Sequence, residues 1–120
     1  MQNRRHERVR ELLKRELSTL LLREFPVAQA GVLSVNEVKL AGDLQSAVVY
    51  VGVVGTEYQR QKTVPLLNEK RAFIQALLGN AVVLRHTPVL RFVLDDSVER
   101  GNRVLHLIEE IEKTLPPQKP

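Results

Sequence analysis

Pro88 confines the stretch Leu84-Arg85-His86-Thr87-Pro88-Val89-Leu90-Arg91-Phe92-Val93-Leu94-Asp95-Asp96-Ser97 to very few conformations. Its ring fixes φ, supplies no backbone donor and turns Thr87 away from helical dihedrals, so any preceding helix must end by about His86. Beyond it, Leu90, Phe92 and Leu94 alternate onto one face of a strand, and Val89, Arg91 and Val93 onto the other. Asp96 stands three residues before Glu99, the spacing of a helix N-cap with its capping box. A helix end, a strand and a helix start follow one another with hardly a residue between.

The remaining elements must fit around that strand in 120 residues, enough for one domain and one core. Aromatic residues make up 4% of the chain and tryptophan is absent, so the core is expected to be aliphatic, with Phe25, Phe73 and Phe92 as its large rings. The absence of cysteine excludes disulfides and thiolate metal sites and is compatible with a reducing cytosol. No run approaches the ~20 apolar residues of a membrane span, and Met1-Gln2-Asn3-Arg4-Arg5 leads into no continuous apolar signal region. The expectation is a soluble, cytoplasmic protein, monomeric when free.

From Arg4 to Glu24, residues Val9, Leu12, Leu13, Leu17, Leu20 and Leu21 recur at helical spacing, and Pro26 ends the helix. Gly31 opens an extended region in which Leu33 and Val35 share one phase and Val38 and Leu40 the other, which predicts a β-bulge near Asn36-Glu37. Ala41-Gly42-Asp43 signals a turn, and Ser46 to Val54 reads as the second strand of an antiparallel hairpin. Residues 55–60 fit either a loop or a first helical turn. Thr63 is a candidate N-cap with Pro65 as an early helical proline, and Leu66, Leu67, Phe73, Ile74, Leu77 and Leu78 carry an apolar face as far as Gly79. Polar Asn68-Glu69-Lys70-Arg71 interrupts that face, so one bent helix and two paired helices both fit. Val98, Val104, Leu105, Ile108 and Ile111 predict a final amphipathic helix. We expect a single domain over 1–115 and a disordered Pro-rich tail over 116–120, in an α+β layout with a three-stranded sheet taking helices on one face.

Eighteen Lys and Arg against fourteen Asp and Glu give a net charge of +4. The surplus is concentrated at the start, where Arg4, Arg5, Arg8, Arg10, Lys14 and Arg15 face Glu7 and Glu11 alone. A solvated helix face laced with ion pairs is one reading of that segment. A polyanion site is the other, because two carboxylates cannot neutralise six cations. Catalytic readings find little: Asp95 and Asp96 are adjacent and point to opposite faces of a strand, His6, His86 and His106 are scattered, and the glycines form no phosphate-binding fingerprint. We expect no enzyme, no metal and no cofactor.

Four blocks give the chain a resemblance to a known family. They are Arg8-Val9-Arg10-Glu11-Leu12-Leu13-Lys14-Arg15-Glu16-Leu17; Val38-Lys39-Leu40-Ala41-Gly42-Asp43-Leu44 with Ala47-Val48-Val49-Tyr50-Val51; Phe73-Ile74-Gln75-Ala76-Leu77-Leu78-Gly79; and Leu84 to Phe92 with Asp95 and Ser97. In this order and at these spacings, the chain resembles bacterial ribosome-binding factor A from about residue 4 to residue 112. The resemblance implies a type II KH-like domain: helix, strand, strand, helix, kink, helix, strand, plus a C-terminal helix, with a mixed three-stranded sheet. The family usually has an Ala-x-Gly kink between its two central helices. Here that motif falls on Lys70-Arg71-Ala72, a departure that removes glycine and places two cations at the corner.

The resemblance further implies a non-catalytic assembly factor that binds the immature 30S subunit, on 16S rRNA near its 5′ end and the decoding region, and promotes late rRNA processing. It also implies a protein partner for release, an assembly GTPase or an initiation factor. The residues expected to contact RNA are Arg4, Arg5, Arg8, Lys14 and Arg15 on the first helix, Lys70 and Arg71 at the corner with Lys62 nearby, and Arg85 and Arg91 around the last strand. Tyr50, Tyr58 and His86 are the stacking candidates outside the expected core, too few for a sheet-face base reader, so shape and backbone recognition is expected. The rival reading is a protein-interaction module that docks its basic helix on an acidic partner.

Overall fold

The long N-terminal helix forms because its leucines fall on one stripe. In the computed structural model, which describes residues 4–82, 84, 86–95, 109 and 111, α1 spans Arg4–Glu24 and buries Leu13, Leu17, Leu20 and Leu21. Pro26, in extended conformation, caps a single turn α2 at Val27–Ala30. Gly31 then redirects the chain with φ +78 and ψ −176, a region essentially restricted to glycine.

Strand β1, Val32–Leu40, pairs antiparallel with β2, Ser46–Val54. Their register shifts between Val35 and Glu37, so Asn36 is the extra residue of a bulge where the change of phase predicted one. The bulge keeps Leu33, Val35 and Val38 all buried. It also turns Asn36 onto the open face, where Ser34 Oγ donates to Asn36 Oδ1 at 2.8 Å and Asn36 Nδ2 donates to Asp95 Oδ2 at 2.8 Å. These side chains lie directly over Gly52, where a Cβ would come within 2.7 Å of Ser34 Oγ. A glycine in the middle strand thus leaves room for β1 to reach the end of the third strand. Asp95 serves here as a structural acceptor.

The next helix begins earlier than its proline suggests. Helix α3 runs Glu57–Glu69, with Thr56 as N-cap and Gln59 completing a capping box, which corrects the assignment of Thr63 as the cap. Thr63 instead lies buried inside the helix, its Oγ1 donating to Ala30 O at 2.9 Å. Pro65 sits within the same helix. The alternative left open at Asn68-Glu69-Lys70-Arg71 resolves as two helices, since α4, Arg71–Ala81, starts after a break at Lys70.

Strand β3, Val89–Leu94, pairs parallel with β2, giving a mixed sheet of order β1-β2-β3. Val89 and Asp95 donate backbone N–H groups to Gln45 O and Val51 O. The alternate groups of β3, at Leu90 and Phe92, therefore point to the outer edge. Polar side chains from the helices take them: Asn68 Oδ1 accepts from Phe92 N, Asn68 Nδ2 donates to Phe92 O, and Gln75 Oε1 accepts from Leu90 N, each at 2.9 Å. Asn68 is polar because it closes a strand edge.

Side chains of Leu90 and Phe92 join Val49, Val51, Leu67, Ile74, Leu78 and the α1 leucines in one core beneath the sheet. All the helices described in full lie on that side. Phe73 departs from expectation: it is 50% exposed and belongs to the surface. Ile74 and Leu78 define the buried line of α4, and Phe73 stands one residue, about 100°, off it. Of the expected final helix, Glu109 and Ile111 are described and helical. Its other apolar positions, the Asp96 cap with Glu99, Arg85, His106 and the 116–120 tail lie outside the described residues.

Candidate nucleic-acid interface

The expected contact residues fall into three separate places. At the first, the start of α1 meets the β1–β2 turn and the segment before β3. Arg5, His6 and Val9 line a cavity of about 490 Å³ together with Gly42, Asp43, Leu44, Gln45, Leu84, His86 and Pro88. His6 Nε2 lies 2.9 Å from Gly42 O and donates to it, a long-range tether that fixes the helix start against the turn. Asp43 Oδ1 accepts from Gln45 N at 3.0 Å, and Leu44 holds the turn with φ +61. Arg4 and Arg8 lie one turn apart on the solvent side, in a groove shared with Glu7 and Glu11.

Arg4, Arg5, Arg8 and Lys14 take no ion pair with a described residue, despite the carboxylates at helical spacing. The exposed Arg15 approaches its half-buried neighbour Glu16 at 3.8 Å, a contact worth little with one partner in water. Lys14 is half-buried, so its position at mid-helix presents less of itself to a partner than Arg4, Arg5 or Arg8 does.

The second place is the α3–α4 corner. Lys70 and Arg71 are both exposed there, and neither takes an ion pair with a described residue. Lys70 turns the chain with φ −90 and ψ 13, values open to any L-residue, and Ala72, which stands where the family motif has glycine, is helical within α4, so the corner needs no glycine. Its N–H donates to Leu66 O and its carbonyl accepts from Ile74 N. The first turn of α4 has no side-chain cap. Lys70 borders a groove of about 390 Å³ whose other walls are Glu24, Phe25, Gln29, Leu66 and the exposed Phe73. Lys62 is exposed on α3 about 12 Å further back along the helix axis.

These two places do not merge. The first lies at the N-terminal end of α1 and the second at its C-terminal end, where Glu24 and Phe25 reach the corner. A helix of 21 residues separates them by roughly 30 Å. Arg91 belongs to neither: it is exposed on the sheet face opposite the helices, opposite Val48 on β2. Tyr50 shares that face and already carries Lys39 Nζ 5.2 Å from its ring centroid. Tyr58 is 70% exposed in the first turn of α3, and His86 sits at the rim of the first cavity.

The surface aromatic that sequence spacing placed in the core, Phe73, is thus the one beside the corner cations. The departure of Phe73 from the Ile74–Leu78 line was the available signal. No sequence pattern announces the tether between His6 and Gly42, because it joins residues 36 positions apart.

Residues 5–108 match the family model of ribosome-binding factor A. Ribosome-binding factor A of Nostoc punctiforme is 40% identical over 118 residues, covering 97% of this chain and 85% of that protein. That of Gloeobacter violaceus is 41% identical over 114 residues, covering 92% and 88%. The crystal structure of ribosome-binding factor A from Thermus thermophilus is similar with a TM-score of 0.61 and 26% identity, over 73% of this chain and 93% of that one. Coordinates of the Thermus thermophilus factor fitted into a cryo-electron microscopy map of its 30S complex share the fold, with a TM-score of 0.63 at 24% identity over 72% and 91%. With the KH-like element order in place and the family pattern matched across nearly its whole length, the chain belongs to the ribosome-binding factor A family.

Proposed function

We propose that this protein is a non-catalytic assembly factor that binds the immature 30S subunit and promotes late maturation of 16S rRNA, with contacts near the rRNA 5′ end and the decoding region. The observation that carries this reading is the family match over residues 5–108. Two exposed basic regions at opposite ends of α1 support it, because a spacing of roughly 30 Å suits a folded RNA surface better than a short single strand. Residues 1–115 act as one RNA-binding domain in this reading, the protein works in the cytoplasm, and its release requires an assembly GTPase or initiation factor.

Co-sedimentation with immature and mature small subunits tests the proposal directly. Preferential retention on immature particles is expected, with log K falling against log salt at a slope of about −3.5 if ~5 phosphates of unpaired RNA are neutralised. Equal retention on both particles, a flat salt response, or binding to an acidic ribosomal protein in the absence of rRNA would reject it in favour of a protein-interaction module.

The corner cations should contribute without holding the fold together. Replacing Lys70 and Arg71 together by Ala is expected to weaken binding to immature subunits roughly tenfold and to make the salt slope shallower by about 1.4. The melting temperature should stay within about 2 °C of the parent, because both side chains are exposed and unpaired among the described residues. Undiminished affinity would move the RNA contact to the N-terminal end of α1.

A further inference from the structure

We propose that the α3–α4 corner holds one unpaired nucleotide, its base stacked on Phe73 and its phosphate held by Lys70. This rests on the RNA-binding reading and adds a base contact to it. Phe73 is 50% exposed, although its neighbour Ile74 is fully buried and the core has space for Phe25 and Phe92. Water contact across half of a phenyl ring is unfavourable, and here it is not scattered over a polar surface. The ring forms a wall of a groove of about 390 Å³ that also contains Phe25, Leu66 and Lys70.

Charge selects the occupant. Lys70 lies three residues before Phe73 and lines the same groove, whereas Arg71, exposed in the first turn of α4, lies outside the groove's lining. A nucleotide offers an apolar π-face and an anionic phosphate within one unit, which an aromatic ring sharing its groove with Lys70 complements at both ends. An acidic peptide would satisfy Lys70 and leave the ring without a flat partner. Glu24, the one carboxylate in the groove among the described residues, accepts from Arg23 Nε at 3.0 Å. That contact tempers its charge towards an incoming phosphate. Gln29 completes the polar rim.

Stacking of this kind tolerates any base, since every base has a π-face. The site therefore fits recognition by subunit shape: it captures a base that the immature rRNA leaves unpaired, without reading its identity.

The test uses the full chain and two fluorescent RNA probes, an adenosine 8-mer and the same 8-mer with abasic sugars. The parent should bind the adenosine probe at least fivefold more tightly than the abasic one. Phe73→Ala should remove that preference, lowering affinity for the adenosine probe by about tenfold while leaving the abasic probe and the salt slope unchanged. Phe73→Tyr should restore it. Lys70→Ala should weaken both probes equally. Equal binding of the two probes by the parent, or equal loss of both in Phe73→Ala, overturns the stacking site. Immature subunits run in parallel separate the two proposals: retention of the parent with no effect of Phe73→Ala on either target rejects the nucleotide site alone, and no retention of the parent rejects the assembly function.

Discussion

Replacing Asn68 by Leu should lower the unfolding free energy by about 2–4 kcal/mol, read as a fall in the urea midpoint at constant m. The side chain both accepts from Phe92 N and donates to Phe92 O on the outer edge of β3. Leucine has the same branching and as many side-chain heavy atoms, though bulkier ones, and a better helix propensity, so neither a cavity nor a backbone penalty accounts for the loss. Two partly buried backbone groups are left without partners, and each costs about 1–3 kcal/mol. Gln75→Leu removes one such bond, to Leu90 N, and should cost about half as much. A change below about 0.5 kcal/mol in Asn68→Leu would mean that water replaces the amide.

Asn68→Asp separates hydrogen bonding from packing. The introduced carboxylate still accepts from Phe92 N, but its second oxygen faces the Phe92 carbonyl oxygen. Ionisation is therefore disfavoured in the folded state, and the folded pKa of that carboxyl lies above its unfolded value of about 3.9. Protonation restores a donor. The variant should match the parent most closely below pH 4, lose stability as pH rises through the raised folded value, and show its full deficit at pH 7. A deficit independent of pH would show that the amide does not face that carbonyl. The edge also has a kinetic aspect, because an unclosed β3 offers unpaired groups to a second chain. Both variants should aggregate faster on warming.

The same residue shows why sequence reading reached some features and not others. Patterns with a short period were legible: the α1 stripe, the change of phase that places a bulge at Asn36, the hairpin turn and the Pro88 strand are each written within one element. Contacts across elements were not. Thr63 before Pro65 has the local signature of a cap, yet Thr56 and Gln59 form the actual capping box and Thr63 Oγ1 is spent on Ala30 O. Asn68 looked like an interruption of an apolar face because its partner lies 24 residues away. For the interface, the identities of the exposed cations were readable from charge, whereas their division into three places depends on α1 as a spacer and on the sheet, which puts Arg91 on its other face. Phe73 was hidden by its type, since an apolar residue on an amphipathic helix is assigned inward unless its angle is counted.

Gly31→Ala should destabilise by about 3–4 kcal/mol, lowering the melting temperature by roughly 10–20 °C for a domain of this size. Two independent causes add. The backbone at φ +78 and ψ −176 belongs to a region that costs a residue with a Cβ about 1–3 kcal/mol. A Cβ there would also stand 2.8 Å from Val54 O. That oxygen belongs to the end of β2 and cannot move aside as a flexible side chain can. Asparagine usually relieves strain at positive φ through the left-handed helical region, but this ψ lies outside it. Gly31→Asn should accordingly be no better than Gly31→Ala, and a clear advantage for Asn would show that the joint relaxes into a left-handed turn. The joint matters for the interface because Gln59 binds it to α3: its Nε2 donates to Val27 O and Ala28 O while its Oε1 accepts from Thr56 N. Displacing Gly31 presses on Gln59, whose Oε1 lies 3.3 Å from the added carbon. The start of α3 then shifts, and with it the distant end where Lys70, Arg71 and Phe73 project. Below its melting range, Gly31→Ala should therefore bind immature subunits more weakly than the parent at equal folded fraction, whereas Asn68→Leu, which leaves this joint intact, should bind in proportion to the fraction folded.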